Sequence, residues 1–341
     1  MSKPIGLWRR LDSSRVILIG LFLGLLILMY LLNPSEFGTL ANFKNIAIQV
    51  AENGCFATAY FLVFVCGGFN FACITIGNLS AIVLSILCNS QRLCGAMPEG
   101  LLLGLGIVCA LVTGMVSGGF MSYFISRFKL PPIMVTICAG RLFEGIGFVL
   151  TKGASAMSPK GLIQLGNIYL LDAVPLLILV TVGCFVLCGV FLNRTRVGRQ
   201  ARLYGINKQA NRYSGISNSR TLLVVYMISG LLSAVGGLIV AAKYGSSKPD
   251  YGTTLTSTII LIVMLSGMTL SGGDAKVWNV FIACLCLQVL STGLNIGGSN
   301  SFVTEFLTGV LLLVVVVCTQ KSYRWLKVYA HFRRRKGYTA E

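Results

Sequence analysis

Four stretches of this chain, residues 16–32, 173–192, 221–242 and 277–296, contain no charged side chain. A bilayer core of about 30 Å is crossed by roughly 20 apolar residues in a helix, so such runs point to a bundle of membrane-spanning helices. Less clean runs lie at residues 46–66, 71–88, 100–121, 133–150, 254–270 and 302–318. Composition agrees, with 55% hydrophobic and 11% charged residues and 39 glycines against 8 prolines. The expected fold is all-α and polytopic, one transmembrane domain over residues 1–341 with about ten spans. The first run follows Arg9, Arg10 and Arg15 with no small-residue cleavage site after it. It therefore reads as a retained helix, not a signal peptide.

Lys and Arg accumulate in cytoplasmic loops, and their distribution here is lopsided. With ten spans, one set of loops holds Lys3, Arg9, Arg10, Arg15, Arg127, Lys129, Lys276, the seven basic residues from Arg194 to Arg220 and the seven from Lys321 to Lys336. The opposite set holds only Lys44, Arg92, Lys152, Lys160, Lys243 and Lys248. Both termini are expected in the cytoplasm. Topology thus accounts for the net charge of +18 and leaves no call for nucleic acid as a partner. The basic tail, residues 320–341, with its HFRRRK run, suits contact with anionic membrane lipids.

The 12 cysteines fall almost entirely in apolar runs, where Cys packs as a small hydrophobe. Cys184 with Cys188, or Cys284 with Cys286, lack the further ligands that a metal needs, and the sole histidine, His331, is in the tail. No metal or cofactor is expected. There is no P-loop, HExxH, GxSxG or intramembrane cluster of carboxylates. Small residues four apart, Gly100 with Gly104 and Gly114 with Gly118, are those that let helix backbones approach.

Two features go beyond packing. The glycine-rich break at residues 67–71 is either a membrane-depth element buried in protein or lining a cavity, which would place Asn70 on a translocation path, or a short cytoplasmic turn. Ionisable residues inside spans carry a functional presumption: Glu52, Glu305, and Arg141 with Glu144. The last two are three apart, on one helix face, and can neutralise each other. Glu52 and Glu305 fall near the outer helix ends, where they can reach water.

The basic loop, residues 193–220, contains RTRVGRQARLYGINKQANRYSGI. This stretch resembles the permease subunits of bacterial ABC importers for ribose, related monosaccharides and autoinducer-2. The positions that carry the likeness are Arg194, Thr195, Gly198, Gly205, Asn207, Ala210, Ser214, Gly215 and Ile216. Three more segments occur in the family's order: LPPIMVT at residues 130–136, YMISGLLSAVGG at 226–237 and SGMTLSGG at 266–273. The likeness spans residues 54–318. The chain departs from the family where GGIDLSVG is usual, reading Gly67, Gly68, Phe69, Asn70, Phe71, Ala72, Cys73, Ile74. It also has Thr256 and Thr258 where a glutamate and an aspartate are usual, and Glu144 in place of an arginine.

The resemblance implies a transporter subunit that is not itself an enzyme. Two permease chains, identical or not, form the pathway. Separate cytoplasmic subunits bind ATP, and a periplasmic or lipid-anchored protein delivers the substrate in the inner membrane. The loop is then the coupling element. Gly198, Gly205 and Gly215 are expected to permit chain reversals around a short helix, Arg199, Arg202, Lys208 and Arg212 to face acidic groups, and Leu203, Tyr204 and Ile206 to offer an apolar contact. Arg194 and Arg196 are assigned to topology. Asn53, Phe69, Asn70, Arg141, Glu144, Thr256 and Thr258 are expected along the pathway. The amides and hydroxyls among them suit a sugar. A branched-chain amino acid or nucleoside permease is the alternative substrate class. A secondary carrier independent of ATP, or an integral membrane enzyme acting on lipid, is the alternative mechanism.

Overall fold

The computed structural model describes residues 13–90, 98–170, 174–213, 215–252, 254–268, 272, 276–296, 306, 309, 310 and 313. The helices are α1 (Ser13–Leu32), α2 (Pro34–Phe37), α3 (Leu40–Val65), α4 (Cys73–Cys88), α5 (Glu99–Arg127), α6 (Pro132–Thr151), α7 (Lys160–Gly166), α8 (Leu176–Arg194), α9 (Arg196–Ile206), α10 (Lys208–Tyr213), α11 (Asn218–Tyr244), α12 (Leu255–Leu265) and α13 (Val277–Ile296). Two minimal antiparallel pairs accompany them: β1 (Ala156–Met157) with β4 (Ser246–Ser247), and β2 (Tyr169–Leu170) with β3 (Val174–Pro175).

Against ten expected spans, the described residues hold 7 helices long and apolar enough to cross a membrane: α1, α3, α5, α6, α8, α11 and α13. Two further runs form shorter apolar helices, α4 of 16 residues and α12 of 11. The expected run at 254–270 stops at Leu265, and Gly267 beyond it takes φ +88, a conformation open chiefly to glycine. The run at 302–318 lies outside the described residues except for isolated positions. Glu305, His331, residues 1–12 and the basic tail lie outside them too.

Helix α11 is the hub, packed against α3, α4 and α5. Small residues make this possible. A Cβ on Gly230 would overlap the Gly114 carbonyl, one on Gly118 would lie 2.8 Å from the Tyr226 carbonyl carbon, and one on Gly237 would overlap Gly77. Backbones therefore touch, as expected for small residues at spacing four. Gly100 and Gly104 show the opposite, with nothing within 4 Å. The outward faces of α1, α5, α6 and α8 carry exposed Leu31, Val116, Val149 and Leu187, an apolar surface suited to lipid. Gly230→Leu is expected to abolish a monodisperse detergent-extracted protein, because no rotamer escapes a backbone clash. Gly24→Leu, with nothing within 4 Å, serves as the tolerated control in the same size-exclusion measurement.

Candidate functional site

The first element of the site is the joint between α8 and α9. Thr195, in extended conformation, caps α9 by accepting a hydrogen bond from Gly198 N at 3.0 Å. Its hydroxyl also donates to Phe191 O at 2.6 Å, tying off the end of α8. Gly198 is helical, not a reversal: its Cβ would lie 2.6 Å from Leu192 Cα and overlap the Phe191 carbonyl. Gly205 is also inside α9, so of the three glycines only Gly215, at φ +74, turns the chain. Asn207 separates α9 from α10, its N–H donating to Leu203 O at 3.0 Å and its Oδ1 accepting from Gln209 N at 3.0 Å. Ala210 lies within α10.

This joint is anchored from beneath. Ala201 is fully buried, Thr221 of α11 donates to Gln200 Oε1 at 3.4 Å, and Asn218 Nδ2 donates to Lys208 O at 3.3 Å. What remains outside is a stripe at helical spacing: Arg196, Arg199, Leu203 and Ile206, all exposed. Arg202 turns away from it, donating to Asn193 Oδ1 at 2.8 Å. Tyr204 also turns inward, with the Lys208 ammonium 5.4 Å from its ring centroid. Burial, aided by the nearby Cys66 thiol, raises the pKa of the Tyr204 hydroxyl above its ordinary value. Tyr204 and Lys208 line a cavity of 540 Å³ together with Ser126 at the end of α5 and Lys129 and Pro131 of the α5–α6 turn.

The second element is the break after α3. Gly67 takes φ +68, Gly67 N bonds Phe64 O at 2.9 Å, and Gly68 N bonds Val63 O at 3.2 Å. That is the Schellman closure of a helix C-terminus, which requires a residue at positive φ. Gly68 has a different reason to be small: a Cβ there would sit 2.9 Å from Tyr226 Oη. Asn70 is 0% exposed. Its Nδ2 donates to Ser229 Oγ at 3.0 Å, and Ser229 in turn donates to Ala59 O at 2.7 Å. Ser229 lies roughly 16 Å along α11 from its first residue, so the break is buried inside the bundle, not an exposed turn. Phe69 packs edge-on against Phe64 and is stacked with Phe71. Gly272, after α12, closes on the same point, since its Cβ would meet Gly67 N at 2.5 Å. Residues 269–271 and 273 of that second glycine loop lie outside the described residues. Asn70→Leu removes the donor to Ser229 Oγ and places an apolar side chain against buried polar groups. A loss of about 1–3 kcal/mol is expected, read as a lowered thermal midpoint in detergent with transport impaired.

The third element is a cavity of 370 Å³ between α4 and α6, lined by Phe71, Thr75, Arg141, Glu144, Asp250 and Thr256. Arg141 and Glu144 form the expected i,i+3 pair at 2.9 Å. Thr256 joins them, whereas Thr258, two residues further along α12, lines none of these cavities. Asn70 also lines none. Asn53 is elsewhere, donating to Gln288 Oε1 of α13 at 3.2 Å. Asp250 and Thr75 escaped notice in the sequence because each is a single polar residue in or beside an apolar run.

Glu52 is nearly buried, and what it reaches first is a partner. It is 5% exposed, and Lys243 of α11 pairs with it at 2.7 Å. Among the described residues no group of three or more His, Cys, Asp or Glu could hold a metal.

A multi-pass bundle of apolar helices, with a broken helix buried at its centre and a polar cavity beside it, defines a membrane transport protein. The chain belongs to the family described as branched-chain amino acid transport system / permease component, which matches residues 42–316. It is 30% identical over 310 residues to the ribose import permease protein RbsC of Bacillus subtilis (strain 168), covering 89% of this chain and 93% of that protein. It is 28% identical over 271 residues to the autoinducer 2 import system permease protein LsrD of Escherichia coli (strain K12), covering 77% and 79% respectively. No solved structure matches the chain. It is thus a permease component of a transport system, and not an enzyme.

Proposed function

We propose that the chain forms the translocation pathway of an ATP-driven importer for a sugar or sugar-like solute. The carrying observation is the cavity where Thr75, Arg141, Glu144, Asp250 and Thr256 meet. Its 370 Å³ is within the range of small-molecule sites, about 300–1,000 Å³, and its hydroxyl and carboxylate groups are ordinary partners for hydroxyls. A zwitterionic amino acid would need both the Arg141 and the Glu144 charge, and here those charges are spent on each other at 2.9 Å. The similar ribose and autoinducer 2 permeases support the sugar class.

ATP-binding subunits dock on the exposed stripe of α9, the likeness having implied a coupling element there, with Arg199, Leu203 and Ile206 as its contacts. A second permease chain, identical or not, completes the pathway. A periplasmic or lipid-anchored protein supplies the solute, and the assembly resides in the bacterial inner membrane. Both termini are cytoplasmic. In support, Lys129 of the α5–α6 turn and Lys208 meet at one end of the bundle, as two loops of the basic set should. Lys243 lies at the far end of α11.

Growth of a deletion strain on a panel of pentoses, hexoses, polyols and amino acids tests the substrate class. Loss of growth confined to sugars or polyols is the expected outcome. A defect confined to leucine, isoleucine and valine would move the chain to the amino acid class.

A further inference from the structure

A second polar cavity, of 470 Å³, opens near the end of α11 opposite to α9 and α10, and of the residues expected along the pathway only Asn53 lines it. Lys243 on its wall lies roughly 37 Å along α11 from Asn218. Its lining includes Gln49, Glu52, Asn53, Lys243, Tyr251 and Thr254. The chemistry alternates: a carboxylate, an ammonium, two amides and hydroxyls face one space. Tyr244 and Tyr251, also in the wall, pair with ring centroids 4.8 Å apart, giving it an aromatic surface.

Glu52 and Lys243 hold each other at 2.7 Å, which would suffice to tie α3 to α11 without any ligand. Two further observations do not fit a purely structural pair. Asn53 uses its Nδ2 on Gln288, while its Oδ1 is buried without a hydrogen-bond partner, an acceptor that ordinarily needs a donor. The stretch of residues 249–252 with 254 and 255 also stands as a partition. It presents Tyr251, Gly252 and Thr254 to this cavity, and its Asp250 to the α4–α6 cavity. Asn78 pins the partition by donating to Pro249 O at 3.0 Å and Tyr251 O at 2.8 Å.

We infer that this cavity is a separate binding station for a hydroxyl-rich solute, with Asn53 Oδ1 and Glu52 accepting from its hydroxyls and Lys243 donating to them. The inference rests on the importer reading only for the class of solute. The solute occupies this station on the far side of that partition from the α4–α6 cavity.

Cysteine protection tests it. Gln49→Cys and Thr254→Cys, made separately, are reacted in intact cells carrying the complete transporter with a membrane-impermeant maleimide, and the labelling of the unsubstituted chain is subtracted. Millimolar D-ribose, ribitol or another pentose, hexose or polyol of a panel is expected to slow labelling several-fold at both positions. L-leucine is expected to leave it unchanged, and Asn53→Leu is expected to abolish the protection. No protection by any sugar or polyol of the panel at either position, or equal protection by L-leucine, overturns the inference. ATP-driven sugar uptake without protection would remove this station and leave the importer standing. Protection without ATP-driven uptake would do the reverse.

Discussion

Gly198→Val is expected to leave the chain inserted in the membrane yet to cut ATP-driven uptake by about 10- to 100-fold, since overpacking by one side chain costs about 1–3 kcal/mol. The added Cβ would lie 2.6 Å from Leu192 Cα and overlap the Phe191 carbonyl. Neither is the end of a flexible side chain, so α9 must lift from α8. Lifting it breaks the Thr195 cap, and the exposed stripe of Arg196, Arg199, Leu203 and Ile206 then shifts relative to the membrane helices. Gly189→Val on α8, where nothing lies within 4 Å, is the matched control. Uptake and ATP hydrolysis are measured side by side. Normal insertion with weak uptake and loss of solute-stimulated hydrolysis is the expected result; uptake close to that of the Gly189 control contradicts the coupling role.

Glu52→Ala is expected to destabilise the fold by about 2–3 kcal/mol, because breaking one side of a buried ion pair leaves the other charge uncompensated. The Lys243 side chain keeps 21% exposure, so it retains some water, which holds the figure at or below the lower end of the usual range of about 3–5 kcal/mol. Lys243→Ala strands a carboxylate only 6% exposed and is expected to cost at least as much. The double alanine variant should lose much less than the sum of the two, since one coupling is being removed twice. Thermal midpoints in detergent read all three. Strict additivity would show that the two groups do not stabilise each other.

Long uncharged runs reveal membrane helices because lipid sets both their length and their composition, and the residues of α1, α8, α11 and α13 were legible on that ground. The pair Arg141–Glu144 was legible for a similar reason, since two opposite charges three apart share a helix face and can meet. Glu52–Lys243 was not, because its partners are 191 positions apart and only the packing of α3 on α11 unites them. The RTxxG motif was visible, but its mechanics were not. Thr195 caps one helix while closing another, and Gly198 is small for contact, not for a turn. At residues 67–70 the sequence left depth open. The Schellman closure at Gly67 and the Asn70–Ser229 bond show an interior break, while the full burial of Asn70 gives its amide to α11. Hydropathy could not separate Thr256 from Thr258 either, as helical rotation places only the first in the cavity.

The most direct measurement is uptake of labelled D-ribose, or of the sugar identified by the growth panel, into proteoliposomes. These contain the purified chain alone or with its cognate ATP-binding subunit, any second permease and the solute-binding protein. ATP-dependent uptake by the complete assembly is expected, with neither ATP hydrolysis nor uptake by this chain alone. ATP hydrolysis by the isolated chain, or sustained uptake without ATP and partners, would contradict that expectation.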